Sequence, residues 1–153
     1  MERTKTMTNI EAIFIDRDGT IGGDTTIHYP GSFTLFPFTK AALQKLKAQN
    51  IKIFSFTNQP GIADGIATVA DFAQELEDFG FDDIYVCPHK HGDGCECRKP
   101  GTGMLLQAAE KHGLDLKKCA VIGDRWTDIV AGATVHATTI LVRTGAGYDA
   151  LHT

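Results

Sequence analysis

The stretch that decides the fold is Ala12-Ile13-Phe14-Ile15-Asp16-Arg17-Asp18-Gly19-Thr20, where an apolar run ends abruptly at two carboxylates. The apolar residues 12–15 are typical of a central strand of a parallel sheet, which is buried on both faces. Asp16 then lies at the carboxyl end of that strand, where open α/β sheets bind their ligands. Asp16 and Asp18 repel each other at this spacing, and a bound cation relieves the repulsion. An ordinary acidic turn has the same composition, so this stretch alone leaves both interpretations open.

Short apolar runs alternate with helical patterns along the rest of the chain. The runs predicted to be strands are residues 12–15, 51–56, 84–87, 120–122 and 139–142. Apolar residues at helical spacing predict helices over 40–48, 69–79 and 103–112, with Gly113 as the stop of the last one. This alternation predicts an α/β, Rossmann-like fold, which is a mostly parallel sheet with helices on both faces. Residues 21–38 fit no crossover helix and are predicted to form a flap or hairpin over the strand ends.

Length and charge limit the classes of protein to which the chain can belong. A chain of 153 residues is expected to fold as one domain spanning 1–153, with residues 1–9 as a flexible lead-in. The net charge is −4 and no basic stripe is present in the sequence, which argues against a nucleic-acid partner. No apolar run approaches the roughly twenty residues that cross a bilayer, and no signal peptide is recognised at the N-terminus. We therefore expect a cytoplasmic monomer without a membrane partner.

Three of the four cysteines are crowded into one loop, residues 87–97, which contains Cys87, His89, Cys95 and Cys97. The disulfide framework of a secreted protein would spread its cysteines through the chain, so this loop favours a reducing compartment. Three thiolates and one imidazole form a standard tetrahedral zinc site, with His91 as an alternative to His89. Inert buried cysteines or a redox pair remain alternatives, although cysteines one residue apart rarely form an unstrained disulfide.

Two polar segments have the residue types that bind phosphate. Thr57 and Asn58 follow the second predicted strand and can offer a hydroxyl and backbone N–H groups to an anion, although a polar turn is the simpler interpretation. Arg98 and Lys99 precede Pro100 at a loop-to-helix junction, where cations can hold a phosphate at the start of the helix. Taken alone, this pair is equally typical of a solvated surface.

A second predicted strand ends in carboxylates near the other end of the chain. Gly123-Asp124 follows the apolar residues 120–122, so Asp124 can reach the same metal ion as Asp16. Asp128 lies at the start of the next helix, where it can either orient a ligand or cap the helix.

Taken together and in this order, the motifs resemble the haloacid dehalogenase (HAD) superfamily of phosphohydrolases. The matching residues span 13–128 and are Asp16-Arg17-Asp18-Gly19-Thr20, Thr57, Lys99, and Gly123-Asp124 with Asp128. The cysteine loop and Cys97-Arg98-Lys99-Pro100 narrow the resemblance to subfamily IIIA, the branch of histidinol phosphatases and D-glycero-D-manno-heptose 1,7-bisphosphate 7-phosphatases. Residues 123–128 are more similar to the histidinol enzymes, whereas residues 57–63 are more similar to the heptose enzymes.

The resemblance implies a Mg²⁺-dependent phosphomonoester hydrolase of small phosphorylated metabolites that works through an aspartyl-phosphate and has no large cap domain. It implies that Asp16 is the nucleophile and that Asp18 is the general acid and base. The implied Mg²⁺ ligands are Asp16, the backbone carbonyl of Asp18, and Asp124, and the implied substrate and phosphate ligands are Thr57, the Asn58 backbone, Arg98 and Lys99. A zinc ion on Cys87, His89, Cys95 and Cys97 would be structural, because four protein ligands leave no position for water.

Three other functions remain as alternatives. A phospho-accepting signalling module would need neither Asp18 nor the cysteine loop. A polynucleotide 3′-phosphatase of the same superfamily is disfavoured by the acidic charge balance and by the zinc ligands. A purely structural zinc module would leave the carboxylates at both strand ends unexplained.

Overall fold

The strands of the sheet are all parallel, and the opening motif supplies the central one. The computed structural model describes residues 10–152, so the predicted flexible lead-in at 1–9 lies outside the described residues. The strands are β1 (Ala12–Ile15), β2 (Lys52–Asn58), β3 (Asp83–Cys87), β4 (Cys119–Gly123) and β5 (Thr138–Leu141). They form one sheet in the order β3-β2-β1-β4-β5. β1 is buried along its whole length, as its apolar side chains require.

Helices cover both faces of this sheet. They are α1 (Thr39–Ala48), α2 (Val69–Asp78), α3 (Gly103–His112), α4 (Trp126–Thr134) and α5 (Gly147–Leu151), with 3₁₀ turns at Pro60–Ile62 and Leu116–Lys118. Leu43 of α1 and Leu76 of α2 share one core cluster with Ile13, whereas Leu105 of α3 shares the other with Phe14. Successive residues of β1 therefore serve opposite faces, and the predicted α/β fold is confirmed. No helix within residues 10–152 is long and apolar enough to span a bilayer.

Local signals explain where several helices begin and end. Thr68 Oγ1 accepts a hydrogen bond from Asp71 N (3.1 Å), and the Asp71 carboxylate accepts one from Thr68 N (3.0 Å), which is a capping box at the start of α2. Gly113 ends α3 in the left-handed conformation (φ +64°), as the sequence predicts. The sequence shows no obvious closing helix after Val142, but α5 is present there. Its only buried residue is Gly147, so α5 has no apolar periodicity to detect.

The topology of the chain brings the ends of β1 and β4 together. β2 and β3 extend the sheet on one side of β1, whereas β4 and β5 extend it on the other. Ligands of such sheets bind where the strand order reverses, outside the carboxyl ends of the strands. Ile15 pairs with Ile122, and Asp16 N donates to Ile122 O (3.0 Å). Asp16 and Asp124 therefore leave the sheet side by side.

Residues 21–38 form a short, irregular hairpin next to this edge of the sheet. Gly22 pairs with Leu35 in an antiparallel bridge, and Gly23 N donates to Thr34 O (3.0 Å). The tip of the segment is tied to the start of α4, because Arg125 Nη2 donates to the backbone carbonyl of Thr25 (2.6 Å). This contact holds the segment beside the strand ends.

Candidate active site

Three buried carboxylates meet at the carboxyl ends of β1 and β4. Asp16 follows β1, Asp124 follows β4 and Asp128 lies in the first turn of α4, and each offers a carboxylate oxygen within 4.8 Å of the others. Gly19 permits this close approach, because its φ is +84° and a Cβ there would collide with the Asp124 carboxylate. Three negative charges this close and this well buried need positive partners.

Lys99 supplies one of these positive partners. Its Nζ donates to Asp128 Oδ1 (2.6 Å), Asp16 Oδ1 (2.9 Å) and the carbonyl of Phe56 (2.9 Å), and it lies 4.1 Å from the centroid of the Phe56 ring. Burial alone lowers the pKa of a lysine, but the carboxylates of Asp128 and Asp16 outweigh burial here and raise the pKa of Lys99. Lys99 is therefore a permanent cation held against Asp16.

One ammonium group leaves excess negative charge between Asp16 and Asp124. The hydroxyl of Thr20 lies 3.2 Å from Asp16 Oδ2 and 3.4 Å from Asp124 Oδ1, and its single proton can serve only one of them. Burial, and next the carboxylate of Asp16, raise the pKa of Asp124 to about 7. Neighbouring carboxylate oxygens with unbalanced charge are the donors that Mg²⁺ prefers, so these residues fit a divalent cation.

Asp128 caps the start of α4, which is one of the two roles that the sequence left open, and it also contacts Lys99. Its Oδ2 accepts a hydrogen bond from Arg125 N (3.1 Å), which caps α4, while its Oδ1 accepts one from Lys99. Burial, followed by the carboxylate of Asp16, raises the pKa of Asp128 to about 6. Asp128 therefore supports Lys99 and the start of α4.

The metal-free protein is expected to lose stability as the pH rises from about 4 to about 7. The folded-state pKa of Asp124 is about 7 against an ordinary 3.8, so the folded protein binds a proton that the unfolded chain releases. The bound proton contributes its full share of the free energy of unfolding below the ordinary pKa of 3.8, and this contribution is lost as the pH rises past the folded-state pKa of about 7. Hydrogen bonds from Thr26 lower the pKa of Asp24 to about 2, so the titration of Asp24 affects stability only at more acidic pH.

Thermal unfolding in chelator across this pH range checks the expectation. Mg²⁺ should raise Tm more at about pH 8 than at about pH 5, because it replaces the proton on the cluster. Asp124→Asn should weaken both the pH dependence of Tm in chelator and the pH dependence of the Tm increase caused by Mg²⁺. A Tm of the metal-free protein that climbs steadily from about pH 4 to about pH 7 would contradict this account of the cluster.

Asp18 lies outside the carboxylate cluster and has its own partners. Its Oδ1 accepts a hydrogen bond from Arg17 Nη1 (2.6 Å), and its Oδ2 accepts one from Gln59 Nε2 (2.7 Å). Gln59 Nε2 also donates to Thr57 Oγ1 (2.8 Å), which links Asp18 to the end of β2. Burial raises the pKa of Asp18, and the charge of Arg17 opposes that rise. Gln59 was not among the predicted site residues, although it lies within residues 57–63, which resemble the heptose enzymes.

A cavity of about 410 Å³ opens above the strand ends. Most of the predicted site residues line it, namely Asp16, Asp18, Thr57, Asn58, Arg98, Lys99 and Asp128, whereas Asp124 lies beneath them. Asn58 fixes the loop that carries Lys99, because Asn58 Oδ1 accepts a hydrogen bond from Lys99 N (3.0 Å). Arg125 and Trp126 also line the cavity, although neither was among the predicted site residues.

A second cluster of potential metal ligands lies at the end of β3 and in the loop that follows it. Cys87, His89, Cys95 and Cys97 each place a donor atom within 4.8 Å of the others. His89 Nδ1 lies 3.5 Å from Cys87 Sγ and 3.2 Å from Cys97 Sγ, and Cys95 Sγ lies 3.7 Å from Cys87 Sγ. Cys97 Sγ also lies 2.9 Å from Cys87 Sγ. Three sulfur atoms and one imidazole nitrogen brought together in this way are the donor set of a tetrahedral zinc site. His91, the predicted alternative, lines the cavity instead.

The chain is similar in sequence to known hydrolases of one family. The family described as "HAD-hyrolase-like" matches residues 96–152. The D-glycero-beta-D-manno-heptose-1,7-bisphosphate 7-phosphatase of Pasteurella multocida is 39% identical over 153 residues, covering 88% of this chain and 83% of its own length. The probable D-glycero-D-manno-heptose-1,7-bisphosphate 7-phosphatase of Thermoplasma volcanium is 37% identical over 127 residues, covering 76% of this chain and 86% of its own.

A solved structure shares the whole architecture. The D,D-heptose 1,7-bisphosphate phosphatase of B. bronchiseptica, complexed with magnesium and phosphate, aligns with a TM-score of 0.82 and 31% identity. The alignment covers 93% of this chain and 86% of that one. The resemblance noted from the sequence motifs is confirmed. The chain therefore belongs to the haloacid dehalogenase family of hydrolases, and it is a phosphatase of that family.

Proposed function

We propose that this phosphatase hydrolyses the 7-phosphate of a heptose 1,7-bisphosphate with the help of Mg²⁺. The observation that carries the proposal is the meeting of Asp16, Asp18 and Lys99 at one cavity above the strand ends. The curated relatives favour the heptose substrate over histidinol phosphate, since the relatives cited above are named for that reaction.

Asp16 is proposed to be the nucleophile. One of its carboxylate oxygens attacks the phosphorus atom, so an O–P bond forms to Asp16 while the P–O bond to the sugar breaks. Asp18 gives its proton to the departing sugar oxygen. In the second step Asp18 takes a proton from water, which attacks the phosphorus atom and releases inorganic phosphate and the free Asp16 carboxylate.

Positive charge is needed because a carboxylate and a phosphate repel each other. Lys99 already lies 2.9 Å from Asp16, and with Thr57 and the Asn58 backbone it is proposed to hold the phosphoryl oxygens. Mg²⁺ on Asp16, Asp124 and the backbone carbonyl of Asp18 would supply the remaining positive charge. Arg98 lines the cavity and is proposed to bind the rest of the substrate.

A structural zinc ion is proposed for the loop after β3. The donors Cys87, His89, Cys95 and Cys97 provide a complete set of four ligands, so no position remains for a reacting water. This loop precedes Arg98 and Lys99 directly. Zinc would therefore fix the shape of the cavity wall without taking part in the reaction.

Comparing the zinc content of two histidine variants tests the proposed zinc ligands. Protein purified without added zinc should contain about one zinc ion per chain, and His89→Ala should lose most of it because a ligand is missing. His91→Ala, two residues further along, should keep the zinc. Metal analysis by mass spectrometry decides, and equal zinc content in both variants, or loss in His91→Ala alone, would reject this ligand set.

A phosphate-release assay with a panel of substrates tests the proposed reaction. The panel contains heptose 1,7-bisphosphates, histidinol phosphate, a hexose bisphosphate and a 3′-phosphorylated oligonucleotide, each with Mg²⁺ and with chelator. The heptose bisphosphates should give the highest kcat/KM, and chelator should abolish turnover. A higher kcat/KM for histidinol phosphate or for the oligonucleotide would show that the preferred substrate belongs to that class instead. Stable labelling of the protein without turnover would indicate a phospho-accepting module.

A further inference from the structure

Arg17 is a buried cation that the proposed reaction does not use. Its side chain is 0% exposed, although it lies between the two aspartates of the β1 motif. The guanidinium carbon lies 3.8 Å from the centroid of the Phe33 ring and 4.9 Å from that of Phe72. Burial of a guanidinium is costly unless its N–H groups meet acceptors, so its partners indicate what it is for.

Two carboxylates share this guanidinium. Arg17 Nη1 donates to Asp18 Oδ1 (2.6 Å), whereas Arg17 Nε donates to Glu75 Oε1 (2.8 Å) and Nη2 lies 2.8 Å from the same oxygen. Asp18 lines the cavity, but Glu75 lies on α2 and its side chain is 11% exposed. A helix outside the site is thereby connected to Asp18 through one rigid, planar group.

We propose that Arg17, anchored by Glu75, is a positioning residue that fixes the Asp18 carboxylate for proton transfer to and from the substrate. The inference rests on the proposed function, because it needs Asp18 to act as the acid and base. Small displacements of a reacting group lower rates strongly, so a carboxylate held at both oxygens has an advantage. Arg17 holds Oδ1 and Gln59 holds Oδ2. Glu75 keeps the guanidinium in place while Asp18 gives up and regains its proton.

The basicity of the leaving group separates positioning of Asp18 from a general structural role. A primary alkyl phosphate releases a strongly basic alkoxide that needs the proton of Asp18. A p-nitrophenyl phosphate releases a weakly basic phenolate that leaves without one. Asp18→Asn should therefore lower kcat/KM, which reports the steps up to departure of the leaving group, by about 10²-fold or more for the alkyl ester and much less for the aryl ester. The ratio of the loss on the alkyl ester to the loss on the aryl ester therefore identifies loss of the acid. A partial loss of fold would lower the activity on both esters equally.

Glu75→Ala should also lower activity on the alkyl ester more than on the aryl ester, by a smaller factor than Asp18→Asn. We expect kcat/KM for the alkyl ester to fall at least about tenfold and kcat/KM for the aryl ester less than about threefold. Glu77→Ala is the matched control, because Glu77 lies on the same helix and is exposed. Its kcat/KM should stay at the wild-type value with both esters.

The outcomes distinguish this inference from the proposed function. Equal losses on both esters in Glu75→Ala, or no loss on either, would overturn the positioning role. If Glu75→Ala does not fold, Arg17→Lys decides by the same ratio, because one ammonium cannot span both carboxylates. Failure of the proposed function would show differently, as a wild-type protein that hydrolyses neither ester or an Asp18→Asn variant whose kcat/KM falls equally on both.

Discussion

Asp16→Asn is expected to lower kcat with every phosphomonoester by at least about 10³-fold, because the amide cannot act as the nucleophile. The substitution keeps the size of the side chain and removes its charge. Lys99 retains the Asp128 carboxylate as a partner at 2.6 Å, so the variant should remain folded. Phosphate release at saturating Mg²⁺ and substrate gives kcat directly.

A surface aspartate provides the control for this variant. Asp78 is exposed on α2, away from the sheet edge, so Asp78→Asn should keep wild-type kcat. Both variants should show the same far-ultraviolet circular dichroism as the wild type. Near wild-type turnover in a clean preparation of Asp16→Asn would exclude Asp16 as the nucleophile.

Lys99→Met is expected to lose both activity and stability. Removing the ammonium leaves Asp16 and Asp128 buried and unpaired, and breaking a buried pair in this way costs about 3–5 kcal/mol. Urea unfolding measures the free energy. Phosphate release should fall as well, because the cation beside the nucleophile is lost.

Lys111→Met shows how much a lysine ion pair is worth outside the site. Lys111 Nζ lies 2.8 Å from Asp83 Oδ2, a distance similar to those of Lys99, but the lysine side chain is 62% exposed. Solvent screens this pair, so its loss should cost less than about 1 kcal/mol. If both variants lost the same free energy, burial would not be what makes Lys99 important.

The sheet and the meeting of Asp16 with Asp124 follow from the sequence. Apolar runs that end in aspartate predict buried parallel strands, and the carboxyl ends of parallel strands meet at one edge. Both the sheet and the proximity of Asp16 to Asp124 can be predicted without coordinates, because the order of parallel strands already places these two strand ends next to each other. The sequence also predicts that Cys87, Cys95 and Cys97 lie together, since they are close in the chain.

The residues that the sequence missed act through contacts between distant segments. Glu75 lies 58 residues from Arg17, and Gln59 lies 41 residues from Asp18. Each looks like an ordinary polar residue of a helix or turn until the fold brings it to its partner. The sequence also could not choose between His89 and His91, because loop conformation alone decides which imidazole faces the thiols.

Chemical trapping of a phosphorylated Asp16 tests the central claim most directly. Asp18→Asn should form the acyl phosphate from p-nitrophenyl phosphate, whose leaving group needs no acid, and should hydrolyse it slowly because the base is missing. Acid quenching, borohydride reduction and peptide mass spectrometry should then find homoserine at position 16. Modification at any other residue, or an unmodified Asp16 while phosphate is being released, would contradict the mechanism proposed for this phosphatase.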